Sequence, residues 1–133
     1  MEEKLLYKDL SYIIRGFLFK VHNELGRFRN EKQYCDALEF LLKENKIPYK
    51  RELVLPESFL GEQKGRNRID FLVDVKIIIE AKCVSFLNKE HYFQCQRYLN
   101  SLNLDLALLV NFRSKYLTIR RILNSNRLPM LRK

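Results

Sequence analysis

The sequence has few of the residues that build crosslinks, metal knuckles or membrane spans. Its three cysteines, Cys35, Cys83 and Cys95, are an odd number without CxxC spacing, which argues against both a disulfide framework and a zinc knuckle. The segment MEEKLLYKDL lacks the apolar centre of a signal peptide, and no apolar run approaches the length of a bilayer span. We therefore expect free thiols, a cytoplasmic location and no membrane contact.

Internal repeats, low-complexity runs and a linker rich in proline, glycine or serine are also missing. With 133 residues, of which 47% are hydrophobic, the chain can bury one core and is too short for two ordinary domains. We predict a single domain over residues 1–123, followed by a basic tail at residues 124–133.

Acidic residues are outnumbered by basic ones. The 25 lysines and arginines against 16 aspartates and glutamates give a formal charge of +9, and such a field attracts a polyanion. Nucleic acid is the commonest partner of this kind, whereas general solubility is the plain alternative. Lys64, Arg66 and Arg68 cluster just before Asp70, and we predict that they contact phosphates. Further basic residues enrich the C-terminal third: Arg113, Lys115, Arg120, Arg121, Arg127, Arg132 and Lys133.

The hydrophobic pattern predicts the element order αα-βββ-α-ββ. Apolar residues recur at helical spacing over 9–25 and 31–45, and the period changes to two after Pro48. A helix near 89–102 separates IIIEAKCV from LALLVNF and is a natural crossover between parallel strands. We therefore predict an α/β fold with a mixed central β-sheet flanked by helices.

Three charged residues interrupt two otherwise apolar strands in the stretch RIDFLVDVKIIIEAKCV: Asp70, Glu80 and Lys82. If residues 74–76 form a hairpin tip, Asp70 lies opposite Glu80, and directly opposed residues point to the same face about 4.5–5.5 Å apart. Lys82 lies two residues beyond Glu80 and so reaches that face as well. The three charges are predicted to converge.

This convergence predicts a metal site for phosphodiester hydrolysis. Adjacent carboxylates repel each other unless a cation lies between them, and Mg²⁺ or Mn²⁺ prefers such oxygens. Lys82 would position the attacking water or take its proton. The alternative is a solvent-facing hairpin with ordinary charged decoration. The near-continuous apolar run around Glu80 opposes it, because such strands are typically buried on both faces of a sheet.

The spacing of Asp70 and the Glu80-Ala81-Lys82 triplet resembles the PD-(D/E)xK nuclease superfamily, which is restriction-endonuclease-like. The chain as a whole resembles the small GxxExxY proteins of that superfamily over about residues 10–123. The matching stretches are VHNELG, Glu31 with Tyr34, RIDFLV, IIIEAK, QCQRYL and LLVNF. Two positions depart from the pattern: Phe28 replaces a glycine, and Ile69 replaces the proline of the superfamily signature.

The resemblance implies roles for individual residues. Asp70 and Glu80 would bind the metal, the carbonyl of Ala81 would add a ligand, and Lys82 would serve the water. Glu31 would be the helix-borne acid, although a first-turn glutamate is also favoured by the helix dipole alone.

Gln94 and Tyr98 form a Q-x-x-x-Y pattern that resembles recombination-type exonucleases of the superfamily. Four residues apart, they share a helix face and would orient Lys82 or touch a phosphate; a core role for Tyr98 is the alternative. For His22 and His91, which show no paired ligand spacing, we expect a surface or capping role.

Together these observations predict a Mg²⁺- or Mn²⁺-dependent nuclease acting on nucleic acid, DNA rather than RNA. The sequence leaves a homodimer open. The alternative is a non-catalytic nucleic-acid-binding or assembly module that retains the nuclease fold. The intact set of Asp70, Glu80 and Lys82 argues against it, because a binding module does not need a lysine beside two acids.

Overall fold

The computed structural model describes residues 6–127. Three α-helices and five β-strands lie within them in the predicted order αα-βββ-α-ββ, which confirms the predicted α/β class. The elements are α1 (Lys8–Leu25), α2 (Glu31–Glu44), β1 (Tyr49–Val54), β2 (Arg68–Val73), β3 (Ile77–Lys82), α3 (Lys89–Leu102), β4 (Leu106–Asn111) and β5 (Thr118–Leu123), and a 3-10 turn at Ser125–Arg127 follows.

Local sequence signals set the helix ends close to the site. Helix α1 stops at Gly26, whose φ of 78° is readily adopted by glycine. Helix α2 starts after Asn30, which forms a capping box with Gln33, and α3 starts after Asn88, which forms one with His91. These caps fix where Glu31 and the first turn of α3 stand relative to the sheet.

The five strands form one sheet in the order β1-β2-β3-β4-β5. Strands β3 and β4 are parallel, and every other neighbouring pair is antiparallel. Because α3 connects the parallel pair, the predicted crossover is confirmed. Strand β3, which carries Glu80 and Lys82, therefore lies at the centre of the sheet.

A hydrophobic core covers each face of the sheet. Ile77 and Ile79 pack with α1 and α2 on one face, whereas Ile78 packs with Leu99 of α3 on the other. The first five residues of β3 are buried, as the apolar run predicted for a strand covered on both sides. Charged residues on this strand are consequently held in a rigid, water-poor setting.

Residues directly after β5 are hydrogen-bonded to the loop before β4. Asn124 is 1% exposed; its N–H donates to the Asp105 carbonyl and its Nδ2 to the Leu104 carbonyl, both at 2.9 Å. The rest of the predicted tail, residues 128–133, lies outside the described residues, and with it Arg132 and Lys133. None of the helices within residues 6–127 combines the length and apolarity needed to cross a membrane.

Candidate active site

The β2–β3 hairpin brings Asp70 across from Glu80. Asp74 and Val75 have φ values of 52° and 54°, the positive pair typical of a tight type I′ turn. From this turn Val73 pairs with Ile77, Leu72 with Ile78 and Phe71 with Ile79. The next step of the same register sets Asp70 opposite Glu80, as the sequence predicted.

At that step the two carboxylates bond to the opposing backbone. Asp70 Oδ2 accepts a hydrogen bond from the Ala81 N–H at 2.7 Å, and Glu80 Oε2 accepts one from the Asp70 N–H at 2.8 Å. The side chain of each acid therefore bonds to the backbone of the other strand, and these two bonds hold both carboxylates between β2 and β3.

Burial sets the protonation behaviour of this pair. Glu80 is 3% exposed, and burial together with the Asp70 charge raises its pKa to about 8. Burial also raises the pKa of Asp70, and the Ala81 N–H and Lys82 oppose that rise. A buried Glu80 and a half-buried Asp70 that repel each other disfavour the doubly ionised state.

The donor chemistry fits a divalent cation. No salt bridge within residues 6–127 involves Asp70 or Glu80, so their charges lack a bonded basic partner in that part of the chain. Hard carboxylate oxygens of this kind are the ligands that Mg²⁺ and Mn²⁺ prefer. In the same described part, no group of three or more His, Cys, Asp or Glu side chains is arranged to hold a metal, so further ligands would be backbone, water or substrate oxygens.

Lys82 lies beside these acids and is held by α3. Its Nζ donates to Gln94 Oε1 at 2.9 Å. Helix α3 therefore brings Gln94 to the end of β3 and fixes the ammonium group, which also acts on the charge of both acids. The arrangement supplies a positioned cationic donor next to a carboxylate pair.

Tyr98 lies deeper than Gln94 on the same helix. It is 5% exposed and packs with Cys95 and Leu99 in the core under α3, which is the core role that the sequence left as the alternative. Burial raises the pKa of its hydroxyl, and the Glu80 charge raises it further. Tyr98 is thus within electrostatic reach of the site.

Glu31 is the first residue of α2 and shares a cavity with Asp70. The cavity measures about 170 Å³ and is lined by Glu31, Lys32, Cys35, Arg51, Glu52, Arg68 and Asp70. Burial and the Asp70 charge raise the pKa of the Glu31 carboxyl, whereas Lys82 lowers it. The structure thus places the helix-borne acid next to the strand-borne ones.

Of the three basic residues predicted to contact phosphates, Arg68 lines this cavity. Lys64 and Arg66 are exposed on the loop before β2, where Arg66 Nη2 donates to Gln63 Oε1 at 3.2 Å. Arg68 begins β2, lines the cavity and lies 3.6 Å from Glu52 Oε1. Their place is compatible with phosphate contacts at the rim.

The two histidines differ in their burial and in their contacts. His91 caps α3 through Asn88, in line with the expected capping role. The surface or capping role expected for His22 is wrong: its ring is 8% exposed and its Nε2 lies 2.9 Å from the Ser114 carbonyl. Ile14, Leu18 and His22 follow each other at four-residue steps, so the buried stripe of α1 runs through the histidine.

Sequence reasoning missed Glu52 and Arg51. Arg51 pairs with Phe71 and Leu53 with Ile69, while Glu52 between them has a φ of 52° and its charge acts on Asp70. Strand alternation gives no sign of this local distortion, because it assigns every second residue to a face without regard to φ.

Comparisons with known proteins bear on the family and the fold. A family model of the PD-(D/E)XK nuclease superfamily matches residues 8–122. The crystal structure of SSO0001 is similar with a TM-score of 0.53 and 17% identity, over 93% of this chain and 82% of that one, which is a likeness of fold alone. A search of curated proteins finds no match.

Proposed function

Because this chain belongs to the PD-(D/E)XK nuclease superfamily, we propose that it is a Mg²⁺- or Mn²⁺-dependent nuclease that hydrolyses phosphodiester bonds, with DNA as its preferred substrate. The observation that carries the proposal is the pair of half-buried Asp70 and buried Glu80 beside Lys82, without a salt bridge to either acid in the described chain. Its likeness to the GxxExxY proteins remains a prediction of the sequence.

The cation would be held by the carboxylates of Asp70 and Glu80, with the Ala81 carbonyl as a further oxygen. When bound, a divalent ion neutralises charge on the phosphate and polarises it for attack. Burial and the Asp70 charge raise the pKa of Glu80 to about 8, so a cation held by its carboxylate would favour loss of that proton.

The protein's own groups handle water and protons. Lys82 Nζ, fixed by Gln94 at 2.9 Å, orients the attacking water by hydrogen bonding or takes its proton. Glu31 adds a third acid at the start of α2, and its raised pKa suits a group that exchanges a proton with solvent. Tyr98 supports this side of the site from the core.

Lys64, Arg66 and Arg68 position the polyanion. All three are exposed and Arg68 lines the same cavity as Asp70, and cations of this kind contact phosphates without reading sequence. The excess of basic residues over the whole chain steers nucleic acid towards that surface.

One observation favours the alternative, a non-catalytic nucleic-acid-binding or assembly module. Asp70 and Glu80 each use one carboxylate oxygen on a backbone N–H, and no three-residue ligand group is present within residues 6–127. Neither Asp70 Oδ1 nor Glu80 Oε1 accepts a hydrogen bond from the described residues, however, and a binding module has no use for a lysine fixed beside two acids.

A cleavage assay separates the two functions. Wild type and an Asp70→Asn variant are incubated with end-labelled single- and double-stranded DNA and RNA in Mg²⁺, Mn²⁺ or EDTA. We expect cleavage by wild type only when a metal is added, faster on DNA than on RNA, and at least about 100-fold slower by the variant. No cleavage of any substrate with either metal would favour the non-catalytic module.

A further inference from the structure

Phe28 is an exposed aromatic side chain beside two guanidinium groups. It lies on the loop between α1 and α2 and is 79% exposed. The Cζ atoms of Arg27 and Arg113 lie 5.0 and 6.0 Å from the centroid of its ring, within the range of cation–π attraction. Neither hydrophobic core includes Phe28, so packing does not explain why this loop carries a phenylalanine.

Reciprocal hydrogen bonds hold the two arginines in place. Arg27 Nε donates to the Arg113 carbonyl at 3.0 Å, and Arg113 Nε donates to the Arg27 carbonyl at 2.7 Å. In addition, Arg113 Nη2 donates to the Arg29 carbonyl at 3.2 Å. These bonds join the loop after α1 to the loop after β4, so both guanidinium groups are pre-organised.

A buried aromatic pair supports this junction from below. The rings of Tyr34 and Phe112 stack with a centroid distance of 4.3 Å and an interplanar angle of 5°, and the Tyr34 hydroxyl donates to the Gly26 carbonyl at 2.5 Å. Both rings are fully buried. The Arg29 N–H also donates to the Tyr34 hydroxyl at 3.2 Å, so the loop that carries Phe28 is anchored to the core on both sides of the ring.

The positive charge of the cluster is not neutralised within the described chain. In residues 6–127, neither Arg27 nor Arg113 forms a salt bridge. Arg27 uses only its Nε in a hydrogen bond to that part of the chain, which leaves both terminal nitrogens to bind an anion. An exposed aromatic ring beside two such cations is the combination that binds nucleic-acid bases and phosphates.

The cluster lies at the same end of the sheet as the candidate active site. Asn111 pairs with Lys82 in the parallel β3–β4 register, and the Phe112 N–H donates to the Lys82 carbonyl at 2.9 Å. Arg113 follows directly, and on α2 Glu31 comes three residues after Phe28. A strand bound at Phe28 would therefore continue towards the acids.

We propose that Arg27, Phe28 and Arg113 form a stacking platform for single-stranded nucleic acid next to the active site. An unpaired base would lie on the Phe28 ring, and the guanidinium groups would contact the flanking phosphates. Bases inside a duplex are covered by their neighbours and cannot offer a face to the ring. The inference rests on the proposed nuclease function and narrows its substrate to single strands, overhangs or flaps.

Tryptophan fluorescence gives a direct test, because the chain contains no tryptophan. Phe28→Trp introduces a single indole at the platform, and base stacking quenches its emission. A single-stranded oligodeoxynucleotide of about 16 nucleotides is titrated in EDTA, which prevents cleavage, and compared with a blunt duplex of the same length. Phe40→Trp is the matched control, since Phe40 is 62% exposed on the outside of α2. We expect quenching only for Phe28→Trp with the single strand.

Affinity provides the second measurement. By fluorescence anisotropy in EDTA, Phe28→Ala should weaken single-strand binding about 10-fold and leave duplex binding and the melting temperature unchanged, whereas Phe28→Trp and Phe40→Ala should bind like wild type. Unaltered single-strand affinity in Phe28→Ala, or an equal loss for the duplex, would overturn the platform. Since no cleavage is involved, a failed nuclease assay and a failed platform are read separately.

Discussion

The two ends of the β2–β3 hairpin carry different side chains, apolar near the turn and charged away from it. Near the turn, residues 71–73 and 77–79 form buried apolar pairs in backbone register; we call this the apolar end. One step further, the Asp70 and Glu80 side chains bond to the opposing backbone, and the half-buried Asp70 and buried Glu80 lie beside Lys82; we call this the acidic end. The apolar end therefore fixes the register and stabilises the fold. The acidic end lowers the free energy of unfolding and carries the proposed chemistry.

The largest effect on stability is expected at the apolar end. Ile78 of β3 is fully buried beneath α3. Ile78→Ala should therefore lower the free energy of unfolding by about 2–5 kcal/mol, through lost contacts and a cavity. Urea denaturation measures it. Val54→Ala, at a residue that is 49% exposed, is the control and should change stability by less than about 0.5 kcal/mol. An equal loss of unfolding free energy in the two variants would contradict the stabilising role of the apolar end.

The acidic end should gain stability from a divalent ion. Because the ion would bind the folded state only, wild type at 100 times the dissociation constant of Mn²⁺ should be stabilised by about 2.7 kcal/mol, seen as a rise in melting temperature. Asp70→Asn removes one ligand charge and should show little rise. The same rise in both proteins would place the ion elsewhere.

Without metal, the acidic end should make stability depend on pH. The pKa of Glu80 is raised from 4.5 to about 8 in the folded state, so folding favours its protonated form. This contribution is fully present below about pH 4.5 and is lost as the pH rises through about 8. In EDTA, the melting temperature of wild type should fall by about 5 °C more than that of Glu80→Gln between about pH 5.5 and 8.5. Parallel pH curves for the two proteins would contradict the raised pKa.

Local pattern predicted most of this hairpin. Period-two alternation and a turn at residues 74–76 were enough to set Asp70 opposite Glu80, and the apolar run of β3 predicted its burial. Contacts between distant segments were beyond such reasoning. Arg27 and Arg113 are far apart in sequence, as are His22 and Ser114, and no periodicity links them.

The smallest effect is expected outside both ends, at the basic rim. Replacing Lys64, Arg66 and Arg68 by Ala should weaken nucleic-acid binding and reduce the slope of log affinity against log salt by at most about 0.9 for each lost phosphate contact. Anisotropy titrations at several salt concentrations measure this. An unchanged slope would move the phosphate-binding surface elsewhere. The control replaces three exposed basic residues of α1, which should alter the slope less: Lys8, Arg15 and Lys20.

The most direct test of the acidic end as a catalytic site is single-turnover cleavage by Lys82→Ala on the best substrate. Lys82 is held by Gln94 and is neither a proposed metal ligand nor a main phosphate contact. We predict that its loss slows cleavage by about 10²- to 10⁴-fold, while the Mn²⁺-induced rise in melting temperature and the affinity for nucleic acid persist. Cleavage by Lys82→Ala at the wild-type rate would contradict the account.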